Sequence, residues 1–124
     1  MLKLAFQTKH ENVKHYQILA IEPQNEKILN YIQSGNFDCD ILTFGRESNR
    51  LVSAIKRSNF CLPVTRGIGI EINYAGCLSS SAQRRQTISL GQMLVDKTNA
   101  KNIVLSSAAT SNLLQRSPKD VVFM

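Results

Sequence analysis

The sequence has no tryptophan, and its aromatic residues amount to only 6% of 124 positions. A core must therefore be built from aliphatic side chains, and at this length it can be one ordinary domain at most. Histidine is almost absent, with His10 and His15 alone in the polar stretch QTKHENVKHY. Their spacing does not suit a zinc-binding helix and no carboxylate repeats beside them, so exposed loop histidines are the expectation and no metal site is assigned. The three cysteines, Cys39, Cys61 and Cys77, are odd in number and show no CxxC spacing. Neither a disulfide framework nor a zinc site is suggested, and reduced, mostly buried thiols are expected. No run of eighteen apolar residues occurs, and the N-terminus lacks the basic start and apolar stretch of a signal peptide. A soluble intracellular protein without a membrane partner is expected.

Other motifs are missing too. There is no G-x-S-x-G and no cysteine with a nearby histidine signature, which removes the usual nucleophile arrangements. Gly67 and Gly69 open no dinucleotide fingerprint because Ile72 stands where the third glycine belongs, and no GK[ST] follows. Neither a catalytic residue nor a cofactor is assigned.

Acidic residues are scarce, nine against fifteen Lys and Arg, for a net charge of +6. The excess is uneven. Residues 1–45 hold four basic and five acidic groups, whereas residues 46–119 hold eleven and three. A basic segment of this kind points to a polyanion, with a merely solubilising surface as the plain alternative.

Five short apolar runs recur: LKLAF (2–6), QILAIE (17–22), DILTF (40–44), IGIEIN (68–73) and NIVLSS (102–107). Several are apolar at nearly every position, as in parallel strands covered on both faces. Helical signals lie between them. In EPQNEKILNYIQSGN, Pro23 stands near a helix start, Ile28, Leu29 and Ile32 share a face, and Gly35 follows the end. In SSSAQRRQTISLGQMLVDKTNAK, Ser80 and Gln83 have capping-box spacing, Ile88, Gly91, Leu94 and Val95 share a face, and Asn99 is the stop. SNFCLPVTRG predicts a short or bent helix interrupted by Pro63. Strand, helix, strand argues for right-handed βαβ units around a parallel sheet or barrel. A closed eight-stranded barrel takes about 250 residues, so the chain supplies roughly half of one, or the sheet is open.

Three features concern binding. Arg84 and Arg85 in QRRQ fall in the first turn of the predicted helix, where the macrodipole disfavours cations, so another task is expected of them. Arg66, Lys56 and Arg57 upstream, and Lys97, Lys101, Arg116 and Lys119 downstream, complete a basic set suited to phosphate contact. The Ser106–Ser107 turn in LSSAATS follows a strand and offers hydroxyls and N–H groups to a phosphate, or else is a simple capped βα loop. Glu71, amid the alternating isoleucines 68, 70 and 72, needs water or a partner.

Residues 60–122 carry a further pattern: Arg66, Gly67, Glu71, Ile72 and Tyr74 as R-G-x-x-x-E-I-x-Y, the Arg84–Arg85 pair before a helix, KNIVLSSAA at 101–109, and R-x-P-x-D-V from Arg116 to Val121. This combination resembles the Rpp-thirty family of ribonuclease P and RNase MRP protein subunits, with weaker similarity back to about residue 16. The resemblance implies an α/β fold, a partial TIM-like (β/α) barrel distantly related to the polymerase-and-histidinol-phosphatase (PHP) phosphoesterases. It also implies a single incomplete domain over 1–124 that lacks terminal β/α units. It further implies an RNA-binding, non-catalytic subunit, located in the nucleus and nucleolus, whose partners are ribonuclease P RNA and a Pop-five-type protein. Through that complex it would support removal of the 5′ leader from precursor tRNA by the RNA subunit. Arg66, Arg84 and Arg85 are then the leading RNA contacts, followed by Lys56, Arg57, Ser106 and Ser107. Glu71 would pair with Arg66 or with the Arg84–Arg85 turn. A metal-dependent PHP-type phosphoesterase and a truncated, non-assembling fragment are the alternatives.

Overall fold

The computed structural model describes residues 15–124. The predicted LKLAF strand and His10 lie outside them; His15 is exposed. Four strands form one sheet: β1 (Ala20–Ile21), β2 (Ile41–Phe44), β3 (Gly69–Asn73) and β4 (Ile103–Ser106). They lie in sequence order and each neighbouring pair is parallel. Because a parallel neighbour cannot be reached by a tight turn, every connection crosses over through helix. The helices are α1 (Glu26–Gln33), α2 (Asn49–Ala54), α3 (Ser58–Thr65), α4 (Ala75–Ser79), α5 (Ser81–Thr98) and α6 (Pro118–Val122). The α/β class and the singly wound parallel order agree with a partial TIM-like fold.

Burial alternates along β2 and β3, and Leu42, Phe44, Ile70 and Ile72 face the helices. They share one core with Leu29 and Ile32 of α1, Val52 of α2, Phe60 of α3, and Leu90 and Leu94 of α5. Phe44 and Phe60 meet with ring centroids 5.9 Å apart, a tilted aromatic contact. The registers Thr43↔Glu71↔Val104 and Asn73↔Ser106 set a second, more polar row on the opposite face. Two-sided burial of the strands is thus corrected: among the described residues, helices cover one face only.

Local chemistry explains the helix limits. α1 starts later than Pro23 suggests, because Asn25 is its N-cap, accepting from the Ile28 N–H at 3.0 Å. It ends before Gly35, whose φ of +76° is a conformation that side chains disfavour. The predicted cap of α5 is present: Ser80 accepts from the Gln83 N–H at 3.3 Å, and Asn99 closes the helix at φ 55°. The buried stripe differs from the expected one. It runs through Thr87, Leu90, Leu94 and Thr98, leaving Ile88 and Val95 exposed, because Thr98 satisfies its hydroxyl on Leu94 O (2.8 Å) within its own helix.

In α3, Pro63 cannot donate to the Asn59 carbonyl four residues earlier. The Gln33 side-chain amide of α1 donates to that carbonyl instead. α2 and α4, which no periodicity marked, are short segments held by packing on α5. The closing KDVVFM run falls mostly in α6, with Ser117 as its N-cap.

Leu94 is fully buried in α5 whereas Ile88 is 44% exposed. Leu94→Ala is expected to lower unfolding free energy in urea by about 3 kcal/mol, and Ile88→Ala by under about 0.5 kcal/mol. Equal losses would put the wrong face of α5 against the sheet.

Candidate nucleic-acid interface

The parallel sheet separates the basic residues into two groups. Arg84 and Arg85 follow the C-terminal end of β3, and Ser106 ends β4 with Ser107 directly after it. Arg66 precedes the N-terminal end of β3. Lys56 and Arg57 lie in the link between α2 and α3. α2 runs beside α5, with Asn49 Nδ2 donating to Gln86 O at one end and Lys97 Nζ donating to Ile55 O at the other. The eleven helical steps from Gln86 to Lys97 span roughly 16 Å. Lys56 and Arg57 are therefore remote from Arg84 and Arg85, and the expected basic set is two patches.

At the C-terminal end, Arg84 Nε donates to Cys77 O at 2.8 Å, which ties the guanidinium to the five-residue α4. α5 begins at Ser81, so Arg84 and Arg85 are its fourth and fifth residues, at and beyond the close of the first turn in which they are expected. The dipole argument for them weakens accordingly. Both are exposed, and Arg85 makes no hydrogen bond or ion pair among the described residues. The serine turn is knitted to β3. Tyr74 and Ala75 N–H groups donate to Ser106 O and Ser107 O (2.9 and 3.1 Å), and Ser106 Oγ donates to Asn73 Oδ1 (2.6 Å). Ser107 Oγ accepts from the Ala109 N–H at 3.3 Å and keeps its own proton for another acceptor.

Arg66 is occupied differently. Its Nη1 donates to Ile32 O at the end of α1 (3.1 Å), a favourable place for a cation, and its other terminal nitrogen pairs with Asp38. Lys56 and Arg57 are exposed. The expected Glu71–arginine pair is corrected: Glu71 accepts from the Thr43 hydroxyl on the neighbouring strand. The register places Thr43 opposite Glu71, while Arg66 lies beyond the strand end beside Asp38.

The thiols are free, but only Cys77 is buried; Cys39 is half-buried and Cys61 exposed on α3. Burial pushes Cys39 up to about 11, an effect that neighbouring Arg66 partly offsets. Cys77 is also raised by burial and partly offset by Arg84. No three His, Cys, Asp or Glu side chains converge on a possible metal position among the described residues. No described helix is long and apolar enough to cross a membrane.

The sequence from residue 3 to 124 matches the model of the family described as RNase P subunit p30. The chain belongs to the RNase P subunit p30 family. It is 32% identical to "Ribonuclease P protein subunit p30" of Mus musculus over 109 residues, covering 88% of this chain and 40% of that protein. It is 34% identical to "Ribonuclease P/MRP protein subunit RPP1" of Saccharomyces cerevisiae over 98 residues, 79% of this chain and 33% of that one. A third relative, "Protein GAMETOPHYTE DEFECTIVE 1" of Arabidopsis thaliana, is 32% identical over 111 residues, 89% and 19% of the two lengths. The chain thus spans well under half the length of these relatives.

For this p30-family chain the residues that periodicity could not supply are the partners. Asp38 stands twenty-eight positions from Arg66, and the Tyr74 hydroxyl accepts from the Arg116 N–H at 3.1 Å. Tyr74 and Arg116 both occur in the quoted motifs, which was the one signal available.

Three kinds of measurement follow from this geometry. A Thr43→Val/Glu71→Leu double-mutant cycle is expected to give a coupling of about 1 kcal/mol in urea unfolding. An Arg66→Ala/Glu71→Leu cycle should be additive, and the reverse ranking would restore the arginine pair. Alkylation at pH 8 is expected to reach Cys61 well before Cys39. Between about pH 9 and 11 the unfolded Cys39 thiol loses its proton while the folded one retains it, so stability falls as pH rises through that window. A stability rise there would contradict the burial of Cys39.

Proposed function

We propose that this chain acts as an RNA-binding, non-catalytic protein subunit of ribonuclease P, and of RNase MRP, supporting 5′ leader removal from precursor tRNA by the RNA subunit. A Pop-five-type protein is its companion, and the nucleus and nucleolus are its location. Family membership over residues 3–124 carries the reading. The relatives named as ribonuclease P and RNase P/MRP subunits support it.

The disposition of charge supports the RNA-binding part. Among the described residues, the cations outnumber the acids and the ion pair present is Arg66–Asp38. Arg85, Lys56 and Arg57 are exposed and not used internally. Such groups suit phosphate oxygens, whose contacts position a nucleic acid without reading its sequence. Arg84 is already oriented by Cys77 O, which leaves its terminal nitrogens available for a phosphate fork. Arg66 serves primarily to join α1, the residue 38 loop and β3, and a structural role suits it better than a phosphate contact.

Binding to ribonuclease P RNA across a salt series tests this. The double variant Arg84→Ala/Arg85→Ala is expected to lower the slope of log affinity against log salt by about 1 to 2. Lys56→Ala/Arg57→Ala measures the second patch separately. Affinity that is insensitive to salt and to both pairs would leave attachment through a protein partner and sink direct phosphate contact.

A further inference from the structure

A recess of about 430 Å³ opens beside the C-terminal ends of β3 and β4. Its walls include Tyr74, Leu105, Ser107, Gln115, Arg116 and Val121. Tyr74 follows β3 directly, and both ends of the residue are fixed. Its N–H donates to Ser106 O at 2.9 Å, and its hydroxyl accepts from the Arg116 N–H at 3.1 Å. The ring is consequently a wall whose orientation is set before any ligand arrives, so little ordering entropy is lost on binding.

Around that ring the chemistry is mixed. Arg116 Nη1 donates to Leu113 O and Gln115 O, both at 2.9 Å, which folds the guanidinium against its own loop. Its Nη2 and Nε make no bond among the described residues and keep their protons for a ligand. The Gln115 side chain is exposed and its amide carries both donors and an acceptor. Ser107 retains a hydroxyl proton. Leu105 and Val121 supply apolar sides, and among the described residues no carboxylate lines the recess.

We propose that this recess receives one unstacked base of a single-stranded RNA segment. Tyr74 provides the stacking surface, the Gln115 amide faces the base edge, and Arg116 with Ser107 faces the adjoining phosphate. A flat aromatic wall, apolar sides, an ambivalent amide and a cationic rim are the combination by which splayed bases are held. A peptide side chain would not require the amide or the carboxylate-free rim. The proposal rests on the RNA-subunit reading and adds to it a contact that duplex RNA cannot make.

The test compares fluorescence anisotropy of the protein with short oligouridylate, short oligoadenylate and an RNA duplex. Tyr74→Leu is expected to weaken both single strands by about tenfold and to leave duplex affinity unchanged. Gln115→Ala, at an exposed position, is expected to alter the ratio between the two single strands. If Tyr74→Leu loses its native circular dichroism, Val121→Trp decides instead, by filling the recess from α6 with the same selective loss. Single strands that bind as the duplex does, undisturbed by these changes, overturn the base site while salt-dependent duplex binding still stands. Absence of binding to any of the three RNAs overturns the base site together with the RNA-subunit reading. Val121→Trp that spares the single strands but abolishes association with another protein subunit makes the recess a protein-docking site and overturns the proposal.

Discussion

A strand that runs parallel to its predecessor can be entered only after the chain has travelled back along the sheet, and every such return here is made through helix. Right-handed crossovers of sequentially ordered strands lay the helices on a single side. One face of the sheet consequently meets Leu29, Val52, Phe60 and Leu94, and the other carries the Thr43–Glu71 bond. The same constraint sorts the charges. Whatever follows a strand is at one end of the molecule, and whatever precedes it is at the other.

That sorting decides how each arginine can act. Arg66, before β3, is within reach of the α1 terminus and Asp38, and both of its terminal nitrogens are engaged there. Arg84, after β3, donates to the Cys77 carbonyl through Nε, its one hydrogen bond through the side chain among the described residues, and is exposed. Identical side chains thus divide between holding the fold and facing solvent, according to the end of the strand on which they fall. The contact to a carbonyl costs little conformational freedom beyond what the helix already fixes. An arginine so restrained loses less entropy on meeting a phosphate than a free one.

Much of the architecture was legible in the sequence because its signals are local. The Ser80 cap, the Asn99 stop and the alternating isoleucines of β3 each depend on a few adjacent residues. The α5 core face was misjudged because threonine reads as polar, yet Thr87 and Thr98 are buried. Glu71's partner was illegible for a different reason: a cross-strand neighbour depends on register, which no single strand encodes. The basic set was read as one group because sequence separation gives no hint of which end of a sheet a residue occupies. Family resemblance located Tyr74 and Arg116 in motifs without revealing that they touch.

The proline of α3 has an effect that extends past its own helix. By withholding a proton from Asn59 O, Pro63 leaves an acceptor that α1 fills through Gln33. Asn59 Nδ2 returns a bond to Asn30 Oδ1 at 3.2 Å, so the two helices exchange side-chain contacts at neighbouring turns. These bonds tie α3 to α1 in addition to the core contacts that each makes. Each helix has only eight residues, too few to persist in isolation, so the two depend on each other and on the core they share.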